Sequence, residues 1–438
     1  MDIITLLLFI TALTICITLN IPILLALSTG YCIFFVHAQL RGYSTGAILK
    51  MSLEGIYTVR KVVVILLLIG VLTALWRASG TIPAIVSYSS RMVKPSLMVL
   101  MTFLLNCLVS FLTGTAFGTA ATMGGVCMTM SSSMGMNPVI TGGAVLSGVY
   151  FGDRCSPVSM SASLVAGLTS TDIYKNIGAM MRSSLVPFGM TCLIYTAVGL
   201  LMPHQAAMDE TVQVLFGRSF NLGWVVLLPA AVILLMASLK IDVKYTMVLS
   251  ILCASIICVM YQNLDLTSMP ELIIYGYRAT DSRLSALMDG GGILSMVKVT
   301  AIIFISSSYA GIFEKTGLLN SLKKKVDGLA GRISPFGAIL VTSIVSGAIA
   351  CNQTLTIMLT HHICRGLKVR ESRLALSLED TAVVTSPLIP WSIAGAVPLV
   401  SISAPTESVL AACYLYLIPL WGLVGRVTFV KKGDGLGT

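Results

Sequence analysis

Two short runs in this chain combine charged and hydroxyl side chains inside apolar surroundings. The first, FGDRCSPVSMSASLVAG (151–167), holds Asp153 and Arg154 followed by Ser156, Ser159, Ser161 and Ser163. The second, LEDTAVVTSPLIPWS (378–392), holds Glu379 and Asp380 followed by Thr381, Thr385, Ser386, Trp391 and Ser392. Each contains a Ser-Pro pair, Ser156-Pro157 and Ser386-Pro387, which interrupts a helix. Carboxylate, hydroxyl and carbonyl oxygens suit Na+, a hard cation, by the logic that governs Ca2+ and Mg2+ sites. Carboxylates in a low-dielectric cavity can also exchange protons near neutral pH.

Two further runs add neutral oxygen donors. TGTAFGTAATMGG (113–125) supplies Thr113, Gly114, Thr115 and Thr119, and CNQTLT (351–356) supplies Asn352, Gln353, Thr354 and Thr356. Single Ser and Thr residues in apolar helices are more often packing residues or backbone acceptors than ligands. Asp153 has Arg154 beside it, so a structural ion pair and a functional carboxylate stand on equal terms there. Glu379 and Asp380 have no base next to them, which favours function.

The elements that must position these groups are membrane spans. The chain has 438 residues, of which 56% are hydrophobic and 11% charged. A soluble domain has about 25% charged residues, so most of this surface faces lipid. The net charge of +10 is then a matter of cytoplasmic loops and anionic lipid, not of nucleic acid. Eleven cysteines are scattered with no CxxC pair, as expected of reduced apolar side chains. The N-terminal run lacks a basic flank and a cleavage site and reads as a first span.

The expected fold is an all-α polytopic membrane protein with about ten to twelve membrane segments. Spans are expected at 3–19, 23–36, 62–76, 96–112, 139–150 and 185–202, then at 222–239, 245–260, 293–313, 336–350, 373–384 and 409–424. The stretches 38–61, 77–94 and 262–292 read as polar or interfacial. The order of elements repeats, so residues 1–205 and 206–438 form two transmembrane repeats. Lys61 and Gly80 match Lys298 and Gly317, and Val109-Ser110 matches Val345-Ser346. The loop 38–61 is basic and its counterpart 262–292 is acidic, which places them on opposite sides of the membrane and makes the repeats inverted. The other basic loops, and with them the C-terminus, are placed in the cytoplasm. The four interruptions form matched pairs, 113–125 with 351–356 and 152–163 with 379–392. Paired breaks in corresponding halves mark a transporter's binding site.

At these residues a family resemblance becomes visible. GDRCSPVS (152–159) resembles the G-D-K-x-S-P-x-S signature of the NhaC family of Na+/H+ antiporters, and LEDTAVVTSPLIPWS resembles its L-E-D-x-x-x-x-T-S-P-L-I-P-W run. SFLTGTAFGTAATMG (110–124) and NQTLTIMLT (352–360) are similar to two more of its motifs. The resemblance covers roughly residues 60–430. It implies a secondary transporter of the ion-transporter group that works by alternating access, with inverted repeats whose re-entrant hairpins and broken helices meet near the midplane. It marks Asp153, Ser156 and Ser159, and Glu379, Asp380, Thr385, Ser386 and Trp391, with Na+ ligands expected among Asp153, Ser156, Asp380 and Thr385. Where many members continue the first motif as S-D-T-T-N, this chain has Ser159-Met160-Ser161-Ala162-Ser163. With Met160 in place of the acid, a carrier of an amino acid or organic acid coupled to Na+ or H+ stands as the alternative.

The rival readings are an enzyme and a channel. GYSTG (42–46) fits G-x-S-x-G but lies in a basic loop, where chance is the better account. His361-His362 reads as a loop pair rather than a zinc site. A channel would use symmetric rings of ligands. The expectation is therefore a non-enzymatic carrier in the cell membrane, with no cofactor beyond transported Na+ and H+. Its expected partners are lipid, cation, a small organic solute in the alternative reading and a second copy of the chain, with no nucleic acid.

Overall fold

The computed structural model describes residues 4–433 apart from 6–7, 10, 13–14, 17–18, 20, 90–93, 158, 203–209, 240, 242, 280, 282–283, 286–287, 317–332 and 368. Helices make up the described regular structure, with one isolated bridge between Tyr277 and Gly290. The helices used below are α1 (Ile23–Leu40), α2 (Thr45–Thr58), α3 (Arg60–Ala78), α4 (Met98–Thr113), α5 (Pro138–Cys155), α6 (Met160–Leu168) and α7 (Ile173–Leu201). They continue with α8 (Leu228–Ser238), α9 (Val243–Met260), α10 (Val297–Thr316), α11 (Pro335–Ala350), α12 (Gln353–Cys364), α13 (Glu371–Leu378), α14 (Ile393–Ser401) and α15 (Cys413–Gly433).

Length and composition qualify Pro95–Thr113 and Ile173–Leu201 as membrane spans among the described residues. A third arises if Glu371–Leu388 and Ile393–Ser401, bent by 57° at their break, count as one. The long helix α7 shows how such a helix is sorted. Its inward face carries Asn176, Met180, Ser184, Pro187, Thr191, Tyr195 and Gly199, spaced by three or four residues. Leu185, Leu193 and Leu201 point outward, 69%, 72% and 83% exposed. Small and polar groups pack inside while leucines face out, the reverse of a soluble helix.

Several expected elements differ. The stretch 38–61 is not a loop, because α2 occupies most of it and packs on α10. Gly55 and Gly311 permit that approach: a Cβ on either would strike the other helix's backbone. Within GYSTG, Ser44 caps α2 and accepts from the Ala47 amide, 3.3 Å. The span expected at 185–202 begins at Ile173, and the one at 409–424 begins at Cys413. His361 and His362 lie in the last turn of α12, with His361 buried, rather than in a loop. The segment expected at 3–19 is described only in part, and the basic group Lys323, Lys324, Lys325 and Arg332 lies outside the described residues.

The breaks recur with the same local geometry. α4 ends at Gly114 (φ 65°, ψ 26°), and Thr115 (φ −143°, ψ 123°) then caps the next helix. α11 ends at Cys351 (φ 53°, ψ 14°), and Asn352 (φ −145°, ψ 132°) caps α12. A left-handed residue costs glycine little and cysteine more, so the Cys351 turn is held by its surroundings. Its carbonyl accepts from the Ile393 amide, 2.8 Å, and Trp391 Nε1 donates to Ala348 O, 2.9 Å. At the other pair of breaks, Ser159 caps the nine-residue α6 and Ser392 caps the nine-residue α14. Each of these helices is followed by a left-handed serine, Ser170 (φ 51°) and Ser403 (φ 56°).

Candidate functional site

The site is built where α5 ends and α6 begins, against the tip between α11 and α12. α4 and α5 can approach closely because Gly148 and Gly152 face α4. A Cβ at Gly152 would run into Ser110 and the Phe111 amide, and one at Gly148 into the Phe103 carbonyl. Ser110 Oγ closes the contact by donating to Val149 O, 2.5 Å. This fixes the last turn of α5, which carries Asp153 and Arg154.

The two side chains part company there. Asp153 is 6% exposed and collects donors from both halves of the chain. Ser159 Oγ donates to Oδ1 at 3.0 Å, Ser161 Oγ to Oδ2 at 3.0 Å, and Gln353 Nε2 to Oδ2 at 3.3 Å. Gln353 also donates to Val383 O, 3.2 Å, which ties the α12 tip to the turn after α13. A cavity of about 550 Å3 opens beside Asp153. Gly114, Thr115, Met160, Ser161, Asn352, Gln353 and Thr354 line it, and Glu54 and Lys315 lie on its rim, paired at 2.7 Å.

Arg154 turns the other way and is fully buried. Its Nη2 pairs with Asp380 Oδ1 and donates to Ser183 Oγ at 2.8 Å. Its Nη1 donates to Ser184 Oγ at 2.5 Å, Met180 O at 3.3 Å and Tyr414 Oη at 3.4 Å. The base that Asp380 lacks in sequence is supplied from 226 positions away, and of the two readings of Asp153 the structural pair with Arg154 is not the one formed. Asp380 is therefore occupied by a guanidinium here, away from the cavity wall. Ser183, Ser184 and Tyr414 were not among the expected site residues. Nothing in the sequence around them signals a role, because each is a hydroxyl residue in an apolar helix with no motif beside it.

Glu379 sits on a π-type turn, Glu379–Val383, that continues α13. It is 1% exposed, and neither carboxylate oxygen has a hydrogen-bond partner among the described residues. Arg154, Asp153 and Asp380 act on it electrostatically. Ala375, Ala382 and Val383, one turn before and after it, belong to an apolar cluster with Ile339, Ile357 and Cys364. Burying an ionised carboxylate that accepts no hydrogen bond is costly, and this sets Glu379 apart from the cradled Asp153 and the paired Asp380.

The remaining expected residues divide. Thr113 is bonded to Thr119, 3.0 Å, and Trp391 to Ala348, so both brace the breaks. Ser156 is fully buried at the end of α5. Thr385 and Ser386 are buried with hydroxyls unpartnered among the described residues, and neither lines the cavity. The structure thus brings Asp153, Ser159, Ser161 and Gln353 together and sets Asp380 and Arg154 apart as a second cluster. The described residues contain no group of three or more His, Cys, Asp or Glu suited to a resident metal ion.

A family model described as the Na+/H+ antiporter family matches residues 148–423, which span both clusters. The chain belongs to the Na+/H+ antiporter family. The antiporter is 28% identical to the Na(+)/H(+) antiporter NhaC of Bacillus subtilis (strain 168) over 408 residues, covering 89% of this chain and 88% of that protein. It is 26% identical to the malate-2H(+)/Na(+)-lactate antiporter of the same organism over 434 residues, covering 95% and 92%. It is also 25% identical to the arginine/ornithine antiporter ArcD of Halobacterium salinarum over 393 residues, covering 84% and 80%. Each of these relatives carries a transport name, and the antiporter is accordingly a membrane carrier of NhaC type.

Proposed function

We propose that this antiporter exchanges Na+ for H+ by alternating access, with Asp153 as the cation-binding carboxylate and Glu379 as the proton carrier. The observation that carries the reading is the cradle of Asp153 at the cavity wall. Its donors Ser159, Ser161 and Gln353 are groups that can reverse their role: a hydroxyl rotates from donor to acceptor, and a glutamine amide presents its oxygen instead of its nitrogen. The same residues that stabilise the free carboxylate can therefore share a bound Na+ with it.

The charge count supports an exchange. Three buried carboxylates, Asp153, Glu379 and Asp380, stand against one buried guanidinium, that of Arg154, and Asp380 neutralises it. Two carboxylates remain to be balanced by cation or proton. Loading Na+ at Asp153 raises the electrostatic cost of a second cationic charge nearby, which favours loss of the Glu379 proton when water reaches it. The repeated left-handed and capping residues at Gly114/Cys351, Thr115/Asn352, Ser159/Ser392 and Ser170/Ser403 support two repeats built on one plan. Their inverted relation is inferred from loop charge, and it supplies the rocking motion.

The test is a proteoliposome assay with an internal pH dye. A Na+ or Li+ jump is expected to drive proton flux, and Glu379→Gln is expected to abolish it. Absence of any cation-driven proton flux in the parent would overturn the reading.

One observation favours a second reading, an organic solute coupled to ion movement. The cavity of about 550 Å3 exceeds what a cation needs and falls in the usual range for small-molecule pockets. Met160, 81% exposed, lines it where an acid is absent. Because Asp153 is the carboxylate at its wall, a cationic amino acid fits better than a carboxylate. Counterflow of labelled arginine or ornithine, compared with lactate and malate, tests this directly.

A further inference from the structure

A second cavity, of about 230 Å3, lies at the other end of the segments that close the first. The main cavity is lined by Thr115, Ala116 and Phe117 of the first break and by Ile393 and Ala394 of α14. The second is lined by Ala121, Thr122 and Gly125 of the same first segment and by Ser401, Ile402 and Ser403 after the same helix. Both segments therefore run from one cavity to the other. They also touch: α14 packs on Ala116–Thr119 and on the turn Ala120–Gly124, and a Cβ on Gly124 would come within 3.2 Å of Ile402.

The wall between the cavities is thin. From Phe117 to Ala121 is about one helical turn, roughly 6 Å, and from Ala394 to Ser401 is roughly 10 Å at 1.5 Å per residue. Gly118, Thr119 and Ala120 fill it with small side chains, and Val397 fills it from α14, all buried. Each segment contains a weak point. Ala120–Gly124 is a π-type turn, and α14 contains Pro398. Both features interrupt the regular hydrogen-bond ladder and are where helices bend.

The charge around the two cavities differs in the sense that separates membrane faces. Lys315 stands at the rim of the main cavity, and α2, which lines it through Met51, Glu54 and Gly55, follows Arg41 and contains Lys50. The second cavity holds Arg77, whose Nη1 donates to Asp289 O at 3.0 Å, and Asp289 belongs to the acid-rich stretch 262–292. By the positive-inside bias the main cavity faces the cytoplasm and the second faces outward.

We infer that the second cavity is the outward vestibule of the same transport path, and that the paired segments Ala116–Gly124 and Ile393–Ser401 are its gate, shut in this inward-open conformation. This deepens the carrier reading by assigning an exit route to residues outside the ion cluster. Opening requires the π-type turn and the Pro398 kink to move apart, which exposes Thr119 to the outer side. Closing the cytoplasmic end must accompany it, or the path would leak.

The experiment is sided cysteine labelling in membrane vesicles, using a membrane-impermeant cationic methanethiosulfonate. The background is the chain with its native cysteines replaced, after its exchange activity has been verified. If that background is inactive, the native chain with its own labelling subtracted serves instead. Ser403→Cys and Thr129→Cys are expected to react from the external face, and Met160→Cys and Asn352→Cys from the cytoplasmic face. Reactivity from the opposite face is expected to be about tenfold lower or less, as for a minor state populated at a few per cent. Labelled Ser403→Cys is expected to stop transport that the unlabelled variant supports. Reaction of Ser403→Cys and Thr129→Cys from the cytoplasmic face, reaction from neither face, or labelling that leaves transport intact would each overturn the inference. Sidedness is read without assuming which ion is carried, so failure of the Na+/H+ reading and failure of the gate give different results.

Discussion

Replacing Asp380 with asparagine tests the division of labour between the two clusters. Arg154 is fully buried, with one carboxylate, two serine hydroxyls, one tyrosine hydroxyl, one carbonyl and the Cys155 sulfur around it. Asparagine keeps the volume but removes the countercharge. The remaining partners are neutral, and the guanidinium cannot lose its proton to escape the penalty. Removing one partner of a buried ion pair costs about 3–5 kcal/mol. Glu379 stands near enough to respond by ionising, which would recover part of that cost and consume the proton carrier. Asp380→Asn is therefore expected to lower stability by roughly 2–4 kcal/mol, after that partial recovery, and to lose exchange with it. The apolar double variant Arg154→Met with Asp380→Leu is expected to regain most of the stability, since a buried pair is often no better than well-packed hydrophobic residues. Denaturation in detergent for the parent, Arg154→Met, Asp380→Leu and the double variant gives the coupling energy. An Asp380→Asn protein of parental stability would refute the ion-lock argument. If its exchange were lost as well, Asp380 rather than Glu379 would be the exchanging carboxylate.

Three further outcomes follow from the same geometry. Glu379→Gln, which mimics the protonated state, is expected to change stability by less than about 1 kcal/mol, while Na+-driven proton flux disappears. A loss of several kcal/mol on denaturation would instead show an ionised Glu379. Ser161→Ala is expected to raise the Na+ concentration for half-maximal exchange about tenfold, the effect of one lost hydrogen bond to a charged group, with little change in maximal rate. Gly152→Ala is expected to cost about 1–3 kcal/mol by overpacking, because its methyl would meet Ser110 and the Phe111 backbone. Melting curves on the purified protein would check it.

Composition alone decided that this chain lives in a membrane, because 11% charge cannot cover a soluble protein of 438 residues. The breaks were also legible. Gly114, Asn352, Ser159 and Ser392 stand where local rules put left-handed and capping residues, and such rules act over three or four positions. Cys351 was not legible as a left-handed turn, since its conformation is imposed by Ile393 and by the packing around it. Nor was α2, whose polar composition reads as a loop until α10 is there to pack against.

Within the site, the sequence determined which groups are present and that they sit at interrupted spans. It placed Asp153, Ser159 and Ser161 together because a capped turn spans so few residues. Tertiary structure decided the pairings. Arg154 is adjacent to Asp153 in sequence yet faces Asp380, because neighbouring residues on a helix point about 100° apart and the second half arrives on only one of those faces. The same rotation leaves Asp380 against the guanidinium and Glu379 among apolar side chains. Charge type is written in the chain, whereas the dielectric and the partner that set a charge's role come from elements more than two hundred residues away.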